Sequence, residues 1–353
     1  MGSKYLILKV GALGDLSFLL PAIDLIHATD PNAEVTWISG KNYAGLLRQN
    51  PRIHRVIAVD ETALFKGSLF QKAWETLRLW SSLDFHYDQI WIGHRTLGAL
   101  FLLRLRSLGR LYQIVRKPSG FLRLLRHEIV VPPLSLNESL AFKTLAEAAL
   151  HKEIPAAAWR AKWNWIPDSD FSLPKSYLVL HLGGGSNPKT EFHLKQWPHW
   201  LSLILSLMEQ TQISMIWVGA SEELPASQAL LASLNLPPSA ASRIHSYVGK
   251  TNFIELLGIL KNAHSFVGVD SGPLHFADAL GVPCVGIYGP TSTVSWGLLG
   301  NDSTCVRNPV PCSPCYQDDA YFPACPFHHK CMTELQPATV LEKLLPKIGD
   351  VAL

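Results

Sequence analysis

The sequence is short of net charge, of charged side chains and of long apolar runs, and each shortage removes a class of function. Lys and Arg number 31 against 28 Asp and Glu, a net charge of +3, too small to imply nucleic-acid binding. Charged residues make up 17% of the chain and apolar residues 48%, which argues against disorder and for a well-packed globular enzyme. No stretch reaches the roughly 18 uninterrupted apolar residues that a membrane span requires. The apolar start at Tyr5–Val10 is interrupted by Lys9 and followed by no small-residue cleavage site. It therefore reads as a buried strand, and a cytoplasmic location is expected. The first glycine turn also lacks the dinucleotide order G-x-G-x-x-G. It spells Gly11-Ala12-Leu13-Gly14-Asp15, and the next strand ends at Ser39-Gly40 with no acid to hold a ribose, so hydride chemistry loses most of its support.

What is present is a doubled α/β pattern. A chain of 353 residues exceeds the size at which one core keeps growing, so two domains are expected. The first half reads strand Tyr5–Val10, glycine turn, helix Leu16–Thr29 and strand Glu34–Ser39, then helix Tyr43–Gln49, strand Ile53–Val59, helix Leu69–Leu83 and strand Gln89–Ile92. Between His151 and Lys175 the text turns to Pro, Ala and Trp and closes on Pro167-Asp168-Ser169-Asp170, which marks a connection. The second half restarts with strand Tyr177–Leu182, helix Gln196–Gln210 and strand Ile213–Val218. It continues with helix Asn252–Lys261, strand Ser265–Val269, helix Pro273–Leu280 and strand Cys284–Tyr288. The expectation is two facing Rossmann-like domains, residues 1–165 and 166–335, with ligands bound in an interdomain cleft outside the carboxyl ends of the strands. Residues 336–353 carry a terminal helix that could pack back on the first domain or simply end the second.

Several turns fall at those strand ends. Gly14 lets backbone approach a ligand and leaves Asp15 in the first helical turn, either as a cleft-facing carboxylate or as an ordinary helix-start acid. Gly183-Gly184-Gly185-Ser186 could turn backbone N–H groups toward a diphosphate, or be a plain surface loop. Lys195 precedes a helix start, where a cation could reach the same phosphates. Glu222 and Glu223 follow a strand where one carboxylate could accept both ribose hydroxyls. Asp270-Ser271-Gly272-Pro273 is a strand-turn-helix with Pro at a helical position that needs no N–H; His275 follows on the helix, and Tyr288-Gly289-Pro290-Thr291 makes a further turn.

Two clusters stand outside this scheme. Arg104, Arg106, Arg110, Arg116, Lys117, Arg123 and Arg126 lie among Leu, Phe and Tyr with no acid between them. They read as solvated faces of two helices or as a surface for anionic lipid or a phosphorylated glycolipid. Cys312, Cys315, Cys325 and Cys331, beside His328 and His329, are spaced C-x2-C-x9-C-x5-C. That spacing suits a structural Zn or Fe, or reduced thiols capping the domain.

Taken in order, the Gly11-Ala12-Leu13-Gly14-Asp15 turn, the Leu194-Lys195-Gln196-Trp197-Pro198 segment, the Val267–Pro283 segment and the Tyr288–Thr291 turn resemble glycosyltransferase family 9, the heptosyltransferases. The cysteine-bearing tail is similar to the heptosyltransferase II type. The resemblance implies a GT-B fold and a metal-independent inverting transfer, usually from ADP-heptose, to lipopolysaccharide or another glycan acceptor. It implies Asp15 as general base, Lys195 on the phosphates, Glu222 or Glu223 on the ribose, and Asp270, Ser271, Gly272 and His275 around the donor. Arg104, Arg106 and Arg110 are expected on the acceptor side. The alternatives are a relative with another nucleotide sugar or a protein acceptor, and a non-catalytic nucleotide-sugar-binding protein.

Overall fold

The computed structural model describes residues 2–95, 103, 105–115, 127–133, 136–183, 195–316 and 325–349. The chain divides into two compact units, Met1–Ile166 and Pro167–Leu353.

In the first unit the strands are β1 (Lys4–Leu8), β2 (Glu34–Gly40), β3 (Arg55–Val59), β4 (His86–Ile92), β5 (Leu108–Ile114) and β6 (His127–Val130). The helices are α1 (Leu13–Leu19), α2 (Pro21–Thr29), α3 (Lys41–Leu47), α4 (Leu69–Ser82) and α5 (Glu138–Leu150). Every strand pairing is parallel, in the order β3-β2-β1-β4-β5-β6. Strands covered on both faces must be apolar on both faces, and β1 is: Leu6, Ile7 and Leu8 are all buried.

Two expectations change here. The helix expected over 16–29 is two helices, because Pro21 has no N–H to donate back and opens a new helix after Leu20. The basic stretch expected as helices contains β5, in which Leu111, Tyr112, Gln113 and Ile114 are buried. Arg110 and its apolar neighbours there belong to a strand paired on both sides rather than to a helical face. Arg104, Arg116, Lys117, Arg123 and Arg126 lie outside the described residues.

The second unit repeats the plan. Its strands are β7 (Tyr177–His181), β8 (Ser214–Val218), β9 (Ile244–Ser246), β10 (Ser265–Val269), β11 (Cys284–Tyr288) and β12 (Thr304–Arg307). Its longer helices are α6 (Trp200–Gln210), α7 (Leu224–Ser233), α8 (Phe253–Lys261), α9 (Gly272–Ala279) and α10 (Pro337–Ile348). The order is β12-β11-β10-β7-β8-β9, again all parallel. Counted from its own first strand, each sheet is therefore wound 3-2-1-4-5-6, the doubly wound order with a switch point between its first and fourth strands. The terminal helix α10 buries Val340, Leu344 and Ile348 in the core of this second unit, with Leu203, Leu207 and Ile287. Its apolar face is spent in that core.

Candidate functional site

In a doubly wound sheet, ligands bind outside the carboxyl ends of the strands where the winding reverses. In the first unit that point lies between β1 and β4. A side chain bridges it: the Val10 N–H donates to His94 Nε2 at 2.9 Å. Asp15 stands beside the bridge as the third residue of α1, with the Ala12 N–H 3.4 Å from its Oδ2. Gly14 is buried in the same turn. Lys9, in the last turn of chain before the glycines, is 5% exposed and its Nζ is 2.8 Å from Asp15 Oδ2. Its ammonium also lies 5.3 Å from the centre of the Phe142 ring, a cation–π contact in a partly dry setting.

Other carboxylates surround this pair. Arg95 Nη2 donates to Glu138 Oε2 at 2.6 Å. Burial raises the Glu138 carboxyl above its usual range, against the opposing pull of Arg95, and the Asp15 charge adds to the rise. Across the turn, burial pushes the Tyr43 phenol up to about 12, helped by the charges of Glu61 and Asp15. Glu61 is also raised, by burial and then by Asp60. Its carboxylate fills the space that a side chain at Gly40 would need, so the strand end must be glycine for the acid to sit there.

The second unit has its own bridge between β7 and β10. Ser271, the residue before α9, bonds from Oγ to His181 Nδ1 at 3.0 Å, and His181 Nε2 lies 3.4 Å from Glu223 Oε1. A ring N–H must face the carboxylate, so in the neutral imidazole Nδ1 accepts from the Ser271 hydroxyl. His181 is 2% exposed. Burial acts to raise Glu223, but His181 and the Ala220 and Gly183 N–H groups outweigh it and hold the carboxyl below its usual range. Glu223 occupies the position where a Gly183 side chain would be, so the glycine gives way to an acid, as Gly40 does to Glu61. Glu222, by contrast, is exposed and accepts the neighbouring Ser221 hydroxyl, at 3.1 Å.

Beside this bridge Asp270 is 5% exposed and its two carboxylate oxygens are each met by a nitrogen. Lys195 Nζ is 2.8 Å from Oδ2, and His275 Nε2 is 2.9 Å from Oδ1. The Lys195 ammonium also donates to the Asp270 carbonyl at 3.2 Å. Burial would raise this carboxyl; Lys195 and then His275 overcome that and hold it well below the ordinary carboxylate range. Gly272 opens α9 directly after Ser271. The following turn at Gly289-Pro290-Thr291 buries the Thr291 hydroxyl with no hydrogen-bond partner among the described residues.

Of the residues singled out in the sequence, the structure gathers Gly14 and Asp15 at one switch point. At the other it gathers Gly183, Lys195, Glu223, Asp270, Ser271, Gly272 and His275. Gly184, Gly185 and Ser186, the remainder of the expected nest, lie outside the described residues, as does Arg104. Arg106 and Arg110 are not brought to Asp15. Arg106 precedes β5 and donates from Nε to the Trp80 carbonyl at 3.1 Å, and Arg110 is near the amino end of the same strand. Both therefore belong to the opposite edge of the sheet. Lys9, His94, Glu138 and His181 were not anticipated. A lysine within an apolar strand was the one visible signal among them.

The four tail cysteines are free thiols. Burial pushes the Cys331 thiol up to about 11, and Cys315, Cys312 and Cys325 add to it in that order, so the four sulfurs lie within electrostatic reach of one another. Among the described residues no three His, Cys, Asp or Glu side chains stand ready to hold a metal ion together.

Comparison with known proteins agrees with this architecture. The family model for glycosyltransferase family 9 (heptosyltransferase) matches residues 140–324, just over half of the chain. Lipopolysaccharide heptosyltransferase 1 of Pseudomonas aeruginosa is 25% identical, covering 97% of this chain and 98% of its own. Among solved structures, Escherichia coli heptosyltransferase WaaC with ADP superposes with a TM-score of 0.75 at 19% identity, over 98% of this chain and 99% of that one. The iron-containing dodecameric glycosyltransferase TibC from enterotoxigenic E. coli has a TM-score of 0.58 at 14% identity, over 98% of this chain and 78% of that one. The two-sheet α/β plan is that of the GT-B heptosyltransferase structures, and the chain belongs to glycosyltransferase family 9.

Proposed function

We propose that this chain is an inverting heptosyltransferase that moves a heptose from ADP-heptose to a lipopolysaccharide-core or related surface-glycan acceptor. The observation that carries the reading is Asp15, a turn carboxylate at the β1/β4 switch point held by the buried Lys9, in a chain whose other sheet gathers Lys195, Ser271 and the start of α9 at its own switch point. What supports the choice of sugar and acceptor is the name of the P. aeruginosa relative, which spans nearly the whole chain, and a solved relative that holds ADP.

In this reading an acceptor hydroxyl attacks the anomeric carbon and the bond from that carbon to the diphosphate oxygen breaks. The hydroxyl proton passes to the Asp15 carboxylate, and ADP leaves with the electron pair. Lys195, oriented by Asp270, and the helix start at Gly272 take up the charge that develops on the diphosphate. Glu223 is committed to His181 and to backbone N–H groups, so it shapes the Gly183 turn, which leaves Glu222 as the exposed acid for a ribose. No metal takes part in the transfer. Peripheral contact with an anionic membrane belongs to the same reading, because a lipopolysaccharide acceptor is anchored in one.

The test is transfer by purified protein from ADP-heptose, UDP-sugars and GDP-sugars to truncated lipopolysaccharide, with and without EDTA. Turnover selective for ADP-heptose and unchanged by EDTA is expected. Nucleotide-sugar binding without turnover would redirect the search to another glycan or a protein acceptor, and absence of any such binding would overturn the reading.

Cys312, Cys315, Cys325 and Cys331 are read as ligands of a structural Zn or Fe, remote from the reaction, which would require their sulfurs to converge. What supports this is their C-x2-C-x9-C-x5-C spacing and the fold likeness to an enzyme described as iron-containing; among the described residues the side chains do not form a ready metal group. Elemental analysis of the protein as isolated is expected to find bound Zn or Fe that is lost in the Cys312→Ser/Cys315→Ser variant. A metal-free protein with four titratable tail thiols would refute it.

A further inference from the structure

The first unit exposes a face that a water-soluble surface would not be expected to carry. Helix α4 buries only Glu75 and Leu79, while Leu69 is 86% exposed, Phe70 79%, Trp74 64% and Leu77 59%. At 100° per residue these four, with Ala73, form one continuous stripe opposite the buried pair. Phe65 before the helix and Phe85 after it are exposed as well. Scattered single apolar residues would need no explanation; a contiguous stripe marks an interaction surface.

Charge identifies the partner. From Thr62 to Ser82 the only carboxylate is Glu75. It is buried, and it is neutralised by Arg78 and by the Asp60 N–H at 2.7 Å. Lys72 and Arg78 flank the stripe on its two sides, and Lys66 precedes it. Trp, Phe and Leu on one face with cations along the borders is the pattern of a helix that lies in a membrane interface, its aromatic rings at headgroup depth and its lysines on anionic lipid.

Position agrees. Helix α4 follows the carboxyl end of β3 through Asp60 and Glu61, and Glu61 packs by Gly40 at the carboxyl end of β2. We infer that the α4 face of the first unit docks on the surface of a bilayer rich in anionic headgroups. Docking there would present the carboxyl edge of the sheet to an acceptor anchored in that bilayer. The inference deepens the heptosyltransferase reading by naming the surface from which the acceptor is taken.

The test is cosedimentation of the full-length protein with phosphatidylcholine vesicles, with and without phosphatidylglycerol, in the absence of donor and acceptor. Binding is expected on the anionic vesicles, weakening with salt. It should fall by about a hundredfold or more in the variant Leu69→Ser/Phe70→Ser/Trp74→Ser/Leu77→Ser, which removes four apolar anchors. Lys72→Glu alone should lower it by about fivefold or more. Circular dichroism of the fourfold variant should be unchanged, since its side chains point outward. Its kcat on a deacylated soluble acceptor should be retained, while its KM for vesicle-borne acceptor rises.

Wild-type protein that ignores anionic vesicles, or a fourfold variant that binds them as well as wild type, overturns the proposal. So does a wild-type dimer in light scattering that the variant abolishes, since the stripe would then be covered by a second copy. Vesicle binding is read without chemistry. Protein that docks but transfers no heptose therefore sinks the enzymatic reading alone, and protein that turns over but does not dock sinks this one alone.

Discussion

Asp15→Asn is expected to lower kcat by about a hundred- to ten-thousand-fold, the range over which a positioned general base contributes. Nucleotide affinity should stay near wild type, because Asp15 belongs to the first unit and the Lys195 cluster to the second. The substitution keeps the shape of the side chain and its place in the α1 turn but removes the site for the acceptor proton. It also leaves the Lys9 ammonium, 6% exposed at the side chain, facing a neutral amide, so some loss of stability should accompany the loss of rate. Asp15→Glu restores the charge one methylene further out and should recover only part of the activity, since Lys9 and the Ala12 N–H fix where the carboxylate sits. Steady-state kinetics with a nucleotide-binding measurement decides the matter. An Asn variant with kcat within a few-fold of wild type would remove Asp15 from the reaction.

The largest effect on folding is expected from Asp270→Asn, at about 3–5 kcal/mol, because removing one partner of a buried pair leaves the other charge uncompensated. Lys195 and His275 then face a neutral amide with a single acceptor oxygen where each had its own carboxylate oxygen, and the Lys195 charge keeps the Asp270 backbone carbonyl. Lys195 is 14% exposed at the side chain, so little solvent is available to replace the lost partner. The double variant Asp270→Asn/Lys195→Met should regain part of that stability while binding nucleotide poorly, since replacing both members of a buried pair is often close to neutral.

The pH dependence has a definite sign. The folded Asp270 carboxyl lies below its unfolded value of about 3.9. Its contribution is therefore fully present above that value and is lost as pH falls toward the folded pKa. Chemical denaturation of wild type and variant should show a constant difference from about pH 5 upward and a shrinking one below pH 4. A difference under about 1 kcal/mol at neutral pH would mean that the buried pair is better solvated than its geometry indicates.

Much of this was legible because turns and strand ends are spelled by residues with few alternatives. Glycine before Asp15 and proline just inside α9 fix where strands stop and helices begin, and the doubled strand-turn-helix text follows from them. What stayed hidden depends on pairing across the sheet. His181 is the last residue of an apolar strand, and only the juxtaposition of β7 with β10 gives it Ser271 as a neighbour. Glu138 reads as a helix-start acid until Arg95 and Asp15 are brought to it. Glu222 and Glu223 are equivalent on the page. They are neighbours in one short helical turn, which aims one at His181 and leaves the other exposed. The Arg-rich stretch misled for the converse reason. Its composition suited a solvated helix, but β5 is held by neighbours on both sides, and that pairing overrides local preference.

The place of α10 in the second core bears on how the protein is made. The first unit is complete within the first 166 residues and can finish folding while the ribosome is still at work. The second must wait for its own final helix, because Val340, Leu344 and Ile348 close a core begun by β7 at Tyr177. Trp197 likewise donates its indole N–H to the Leu335 carbonyl. Until α10 emerges, Leu203 and Leu207 of α6 lack the cover that it provides. The nascent chain therefore passes through an interval with one finished half and one half holding an open apolar seam, in which a chaperone would find it.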